Sequence, residues 1–562
     1  MPRSMDTHDA PLTPLVSRPD RVFPTLTPDQ MSRMTAHGRR RSTVAGEVLV
    51  EVGDTRVPVF VIVSGEIQVV QPTDRAETLI VSYHAGQFSG EANMLSGRRS
   101  LGRLRVSEAG EVIQLDREHM LALIQTDAEL SEILMRAFML RRLELIARNL
   151  GDVVVIGSGH NAGTLRVKEF LARNGHPFHY IDLDRDSEAQ ELLDRFQISV
   201  AEIPVLICRG DAVLKNPSNA KVADCLGFNE ELDDTRVSDL LIVGAGPAGL
   251  AAAVYGASEG LDVLVLESNV PGGQAGSSSR IENYLGFPTG ISGLDLTGRA
   301  YAQALKFGAH VIVAKGATRL DCDGQRYTVE IDGGPRIRSR AVIVATGARY
   351  RKPALANLST FEGAGVYYGA TPMEAQLCVG EEVVVVGGGN SAGQAAVFLA
   401  SSARRVHMLV RGSGLAETMS RYLIRRIEEN PAIVVRTNTE IVALEGNDKL
   451  ARIQWRADRT GDVETHDIRH VFIMTGADPN TRWLDGCLTL DDQGFVKTGP
   501  DLSSEELANA QWPLARPPYL LETSRPRIFA VGDVRGGNIK RVASAVGEGS
   551  IAVALVHQVL RQ

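Results

Sequence analysis

Paired cysteines are conspicuously scarce in this 562-residue chain. Its five cysteines, Cys208, Cys225, Cys322, Cys378 and Cys487, form an odd set with no CxxC and no metal-type spacing. That pattern argues against a zinc site or a disulfide framework and fits a reduced compartment, with each thiol expected as a small buried hydrophobe. No uninterrupted apolar run reaches the ~18 residues of a membrane span, and the polar, proline-rich first twenty residues lack the apolar centre of a signal peptide. The expectation is a cytoplasmic protein without membrane contact. Charge of one sign is also scarce: the net −8 is spread along the chain, which leaves no electrostatic footprint for nucleic acid. The short run Arg39-Arg40-Arg41 reads as solvated surface.

Glycine, by contrast, is abundant. Fifty-five Gly in a chain 44% hydrophobic and 23% charged suggest a soluble protein with many tight strand-to-helix turns, hence α/β architecture. The length exceeds one hydrophobic core and predicts about three to five domains. Residues 1–22 read as an extended or disordered tail. Short β-branched runs punctuated by Gly over 44–115 predict a compact antiparallel roll, closed by an amphipathic helix over about 128–150. From 152 the order becomes strand, helix, strand, helix (188–197), strand, a small α/β domain within 151–230. The charged stretch 229–237 reads as a linker.

Two strand–glycine loop–helix units follow. In the first, Gly244, Gly246, Pro247, Ala248 and Gly249 lie between an apolar strand and an Ala-rich helix, and Glu267 ends the next strand. The glycines permit a tight turn, close approach of a pyrophosphate and helix–strand packing, while the acid suits ribose hydroxyls. The second repeats the arrangement with Gly387, Gly388, Gly389, Asn390, Ser391 and Ala392, but its next strand ends at Val410-Arg411. A carboxylate there would repel a 2′-phosphate and Arg can pair with one, which favours NADPH over NADH. One acid-terminated and one Arg-terminated loop suit a resident FAD and a delivering NADPH.

At these residues the chain resembles the thioredoxin reductase type of flavoprotein over about 325 residues. GGQ at 272–274 and IENYLGF at 281–287 resemble that family's flavin-proximal segments and imply contacts from Gly272, Gly273, Gln274 and Asn283. VIVATGA at 342–348 resembles its ATG segment (Ala345, Thr346, Gly347), and MTGADPNT at 474–481, with Gly476, the exit from its coenzyme domain. IFAVGDVRGG at 528–537 resembles its C-terminal FAD signature, in which Gly532 and Asp533 meet the ribityl chain. The following Lys540, Arg541 and Val542 would run along the isoalloxazine, and Ala317 joins the implied FAD contacts. The resemblance implies an FAD domain in two parts, 236–358 and 485–562, around an NADPH domain at 359–484. It further implies a two-strand hinge near 360 and 484 and a homodimer. It fails at GVYYGATPMEAQLC (365–378): the family's Cys-Ala-Thr-Cys cysteines fall on Gly369 and Pro372. The usual dithiol relay is absent, and Cys378 reads as core. Of the family's basic coenzyme segment only Arg411 remains, which weakens the NADPH preference.

Residues 152–228 resemble a glutaredoxin-like thioredoxin fold with Ile203-Pro204 as its cis-proline, but the active-site cysteines are replaced by SGHNAGT. Residues 23–150 resemble a cyclic nucleotide-binding domain, with Gly90-Glu91 as the ribose-binding pair and Arg99 the nearest candidate for the cyclic phosphate. The fold class is therefore multidomain α/β: a β-roll plus helix, a thioredoxin-like α/β domain, then two Rossmann-like domains. The expected function is hydride transfer from NADPH to FAD and onward to an acceptor the sequence does not name. Two alternatives stand beside it: a redox or cyclic-nucleotide-responsive sensor, and disulfide reduction through a partner's cysteines.

Overall fold

In a computed structural model, the structure describes residues 19–562 except 56, 73–76, 149–150, 187–197, 200–201, 209–211, 231, 323–326, 335, 448 and 458–459. The expected helix over 188–197 and the tail over 1–18 lie outside the described residues; Pro19–Val22, expected as tail, is helical. Two units divide at Asp152 and Val153.

The first unit is an antiparallel five-stranded sheet in which Arg103–Leu115 pairs with Arg39–Thr43, Val48–Val50 and Val59–Pro72, and the last pairs with Glu77–Tyr83. Alternating side chains of these strands put Phe60, Ile62, Ile67, Tyr83 and Val112 into one core. The helix Ala128–Ala147 is started by Asp127, whose side chain accepts the Leu130 N–H at 3.0 Å. It buries Leu130, Leu134, Ala137 and Phe138 at helical spacing. One turn further Arg141 is also buried. Its guanidinium donates to the carbonyls of Val22 (2.9 Å) and Gly90 (2.8 Å) and lies over the rings of Phe23, Tyr83 and Phe88, an arrangement that compensates a buried cation.

Among the described residues, the second unit holds three sheets of four or more strands beside a two-stranded and a three-stranded one. Nearest its N-terminus, Val153–Gly157 pairs parallel with His179–Asp182 and antiparallel with Val205–Cys208, which pairs with Ala212–Lys215. The Ile203–Pro204 bond is cis. Next comes a seven-stranded sheet with Val237–Val243 at its centre between Val263–Leu266 and Arg336–Val344; Ile528–Ala530 returns from the far end of the chain to pair with Arg336–Val344. Inserted between these parts is a parallel five-stranded sheet, Val366–Tyr367, His470–Ile473, Glu382–Val386, Arg405–Val410 and Ile433–Thr437 in spatial order. Runs such as Val383 to Val386 are buried on both faces, as a helix-covered parallel sheet requires. The two crossing strands, Ala348–Tyr350 and Ala477–Pro479, pair antiparallel. They lie nearer the N-terminus than the expected hinge at 360 and 484, and the short helix Leu358–Phe361 stands between the first of them and the coenzyme sheet, which begins at Val366–Tyr367.

The expectation for the cysteines needs correction. Cys322 and Cys487 are not lone thiols: they form a disulfide, with Cα atoms 5.9 Å apart and a sequence separation of 165. Only tertiary packing brings them together, in the core that also holds Leu320 and Leu484, so no spacing rule could reveal the pair. The helix Val542–Leu560 is long and apolar enough to cross a membrane by length and composition, although Glu548 and His557 interrupt its apolar run. Here it packs on the helix Pro247–Ser258, burying Ala545, Gly549, Ala552, Val553 and Val556.

Candidate functional site

The strand Val237–Val243 ends in Gly244, whose φ of +108° and close approach to the Ala345 carbonyl admit no side chain: a Cβ built there would lie 2.3 Å from that oxygen. A Cβ on Gly249 would sit 1.9 Å from the Gly244 carbonyl, so the third glycine sets how closely the helix Pro247–Ser258 meets the strand. Gly246, by contrast, has only Gly273 Cα within 3.9 Å of a built Cβ. Its open side is where a pyrophosphate can approach backbone, at the start of a helix. Glu267 is fully inside, and its carboxylate accepts the N–H of Ala245 (2.8 Å) and of Asn269 (2.9 Å). Burial raises its carboxyl above the ordinary range, and those two hydrogen bonds and the charge of Arg173 partly offset this. The geometry fits an adenosine ribose.

All the predicted FAD residues except Gly249 and Gly272 line one cavity of about 1150 Å³. The size exceeds the roughly 300–1,000 Å³ of ordinary ligand pockets and suits a dinucleotide with room for a second molecule. The omitted pair act behind the wall: Gly272 (φ +107°) donates its N–H to the Ala245 carbonyl at 2.7 Å. At the opposite end Asp533 is held up by burial, with Lys540 lowering and Glu548 raising it. Glu548, which sequence reasoning missed, fixes this turn by accepting from Gly532 N (2.6 Å), Arg535 (2.6 Å) and Asn538 (2.8 Å).

Of the predicted coenzyme residues, Asn390 and Ser391 reach the same cavity, whereas Gly387, Gly388, Gly389, Ala392, Arg411 and Gly476 do not line it. Gly387 (φ +141°) packs under the Met474 carbonyl, Asn390 Oδ1 accepts Ser420 N at 2.8 Å, and Arg411 is exposed just beyond Arg405–Val410. Tyr350, on a crossing strand, joins the two regions: burial raises its phenol, its hydroxyl meets Ser391, and Asp533 is close enough to act on it. The crossing itself is stitched by Thr346 Oγ1 to the Asn480 carbonyl and Asn480 Nδ2 to the Thr346 carbonyl, both 2.9 Å.

The segment expected to have lost the dithiol also faces this cavity. Tyr368, Gly369 and Thr371 line it, and a Cβ built on Gly369 would lie 3.6 Å from Ser277 Cβ, beside the GGQ segment. Pro372 starts the helix Pro372–Leu377. Glu374 lines the cavity with its carboxyl raised by burial, while Thr371 hydrogen bonds lower it. Cys378 is buried and its thiol pushed up to about 12 by burial and nearby Glu374 and Glu381, far from a nucleophile's range. Sequence reasoning also missed Ala162, Leu165, Arg166, Glu169 and Arg173, which enter the wall from the α/β layer at 153–228.

In the first unit a separate cavity of about 170 Å³ is lined by Gly90, Glu91, Tyr83, Met94, Arg98 and Arg148 among others. Arg98, not Arg99, faces it, because Arg99 lies outside the lining while its carbonyl accepts from Asn93 at 3.1 Å. Glu91 is already paired with buried Arg142 at 3.3 Å.

A glycine loop closed by a buried carboxylate lines the cavity, and a second glycine loop, followed by an exposed arginine, reaches it through Asn390 and Ser391; two such loops are the signature of a flavoprotein that uses two dinucleotides. The chain belongs to the pyridine nucleotide-disulphide oxidoreductase family, whose model matches residues 238–549. It is 30% identical over 333 residues to thioredoxin reductase of Bacillus subtilis, covering 59% of this chain and 97% of that one. Thioredoxin reductase of Mycolicibacterium smegmatis is 33% identical over 316 residues, covering 56% and 94%. The solved thioredoxin reductases of Lactococcus lactis and T. acidophilum superpose with TM-scores of 0.52 and 0.51 at 26% identity, over 58% of this chain and all of theirs. A cyclic nucleotide-binding domain model matches residues 40–127. The protein is thus a thioredoxin reductase-like oxidoreductase of the FAD- and NADPH-using family, with an N-terminal cyclic nucleotide-binding domain.

Proposed function

We propose that this enzyme moves electrons from NADPH to an acceptor that reacts at the flavin itself, without an internal dithiol. When bound, FAD supplies the two-electron carrier between the coenzyme and that acceptor. The observation that carries this reading is Gly369, which stands in the cavity wall beside Ser277 at the position the family fills with a cysteine. Gly244, Gly246 and Gly273 shape the cradle for the pyrophosphate, Glu267 holds the ribose, and Asp533 the ribityl side. Asn390, Ser391 and Arg411 bind NADPH, with Tyr350 between the two nucleotides. Positioning of this kind carries most of the chemistry of such a transfer. An acceptor of this type is a quinone, a small disulfide, oxygen or an electron-transfer protein.

Anaerobic stopped-flow absorbance tests it. NADPH should bleach the flavin band near ~450 nm rapidly, and a quinone or oxygen should restore it. Absence of bleaching, or restoration by a protein disulfide alone, would contradict the proposal.

A second reading concerns the first unit. Gly90, Glu91 and Arg98 around one cavity favour a cyclic nucleotide effector, although 170 Å³ is below the roughly 300 Å³ of a ligand site and Glu91 must exchange Arg142 for a ribose. Calorimetry with cyclic AMP and cyclic GMP should give heat that Arg98→Gln abolishes. Equal heat from both proteins would overturn the assignment.

A further inference from the structure

The α/β layer at 153–228 carries no cysteine at its sequence-expected active site, yet it is joined to the FAD region by more than chain continuity. Phe170 and Phe228 share a core with Val270, Val313 and Ala314. Asn229 exchanges two hydrogen bonds with the Val313 backbone, at 2.9 and 2.8 Å, and Asn219 Nδ2 donates to Asn269 Oδ1 at 2.6 Å. Asn269 is the residue whose N–H holds the Glu267 carboxylate. Contacts of this kind fix the layer against the loops that follow the first ribose acid.

The helix Ala162–Arg173 ends at the critical point. Arg173 Nη2 donates to the Gly273 carbonyl at 2.6 Å and to the Pro271 carbonyl at 3.5 Å, while Nη1 donates to Glu169 at 3.1 Å. Its side chain is only 11% exposed, and its Nε is buried without a hydrogen-bond partner among the described residues. The turn it grips is a glycine pair with φ of +107° and +53°, a backbone that glycine adopts freely and that leaves the turn without side chains of its own to anchor it. On its other side that turn presses on the glycine loop. Gly272 N–H meets the Ala245 carbonyl at 2.7 Å, and a Cβ on Gly273 would lie 3.1 Å from Gly246 Cα. A line of contacts therefore runs from Arg173 through the Pro271–Gly273 turn to the cradle at Ala245-Gly246.

We propose that Arg173 is a positioning residue for FAD, and that the α/β layer serves as a structural wall of the flavin site. The guanidinium ties the Pro271–Gly273 turn to the end of the helix Ala162–Arg173 and adds a cation to the side of the cavity where the pyrophosphate approaches. Glu169 orients it. The layer's role at this site requires no thiol chemistry, in keeping with the cysteine-free SGHNAGT segment.

The inference rests on the FAD site described above, and the test separates the two. Full-length parent, Arg173→Gln, Arg173→Lys and the exposed surface control Lys221→Gln are stripped of flavin. FAD affinity is then measured by flavin fluorescence and apoprotein melting by circular dichroism. Parent and control should bind FAD alike; failure of the parent to bind contradicts the FAD site itself. Arg173→Gln should weaken FAD by about tenfold or more, the effect of losing a charge-assisted hydrogen bond. Its apoprotein should melt within about 2 °C of the parent, and Arg173→Lys should fall between. Should Arg173→Gln fail to fold, Arg173→Lys decides: weakened FAD with unchanged melting supports the role. FAD affinity within about twofold of the parent in whichever Arg173 variant folds overturns it.

Discussion

The two dinucleotide loops begin alike and end differently. The first closes on Glu267, buried and bound to two backbone N–H groups, and nearly all of it lines the large cavity. The second closes on exposed Arg411 and shows that cavity only Asn390 and Ser391. A loop sealed under its own carboxylate suits a nucleotide that stays, and an open loop with an exposed cation suits one that comes and goes. Packing at the third position of each loop agrees: Gly249 admits no methyl, whereas its counterpart Ala392 already has one, fully buried.

The largest effect that would sharpen this contrast is expected at Gly249. Gly249→Ala drives a methyl into the Gly244 carbonyl and should cost about 3 kcal/mol of stability together with the bound flavin, read by melting and by flavin content on purification. Retained flavin would break the comparison. At Arg411, replacement by Ala should raise KM for NADPH about tenfold more than KM for NADH, with flavin content unchanged; equal changes for both coenzymes would remove its assigned role. Ala392→Gly, the mirror of the first change, removes one buried methyl from the first turn of the helix Asn390–Leu399, should cost only about 1 kcal/mol and should leave flavin in place.

The smallest effect concerns pH, and the two regions should move in opposite directions. His470, in the coenzyme sheet, is held down to about 4 by burial, with Glu381 raising it and His160 and Arg469 lowering it, and its ring meets the Tyr367 hydroxyl at 3.3 Å. A histidine depressed in the folded state leaves stability intact above its unfolded value near 6.5. That stability drains away as pH falls toward 4, because the unfolded chain takes up the proton first. Glu267 has the opposite sign: burial raises it, so the flavin-free FAD region loses stability as pH rises above the ordinary carboxyl range. His470→Gln should flatten the loss between pH 6.5 and 4 in melting experiments; an unchanged slope would contradict the burial of a neutral ring.

The parts of this architecture written in local sequence were legible without coordinates. Gly244, Gly246 and Glu267 announce the FAD loop because turn, approach and acid occupy fixed offsets along one strand–helix unit, and the coenzyme loop follows the same grammar. The cis bond at Ile203-Pro204 was anticipated only through the resemblance of 152–228 to a thioredoxin fold. What could not be read were pairings made by folding. Cys322 finds Cys487 across 165 residues. Arg173 reaches Gly273 across 100 residues and two sheets, and nothing in the helix Ala162–Arg173 marks its last residue as different from other arginines. Arg98 and Arg99 are neighbours, and only the local backbone turn decides which faces the cavity.

The central claim, that electrons leave this flavin without an internal dithiol, is tested most directly by anaerobic titration of the purified protein with NADPH. A flavin accepts two electrons and a disulfide in line with it would accept two more. The account predicts complete bleaching after about one equivalent of NADPH per FAD, whereas a requirement for about two equivalents would reveal a redox-active disulfide connected to the flavin and contradict it.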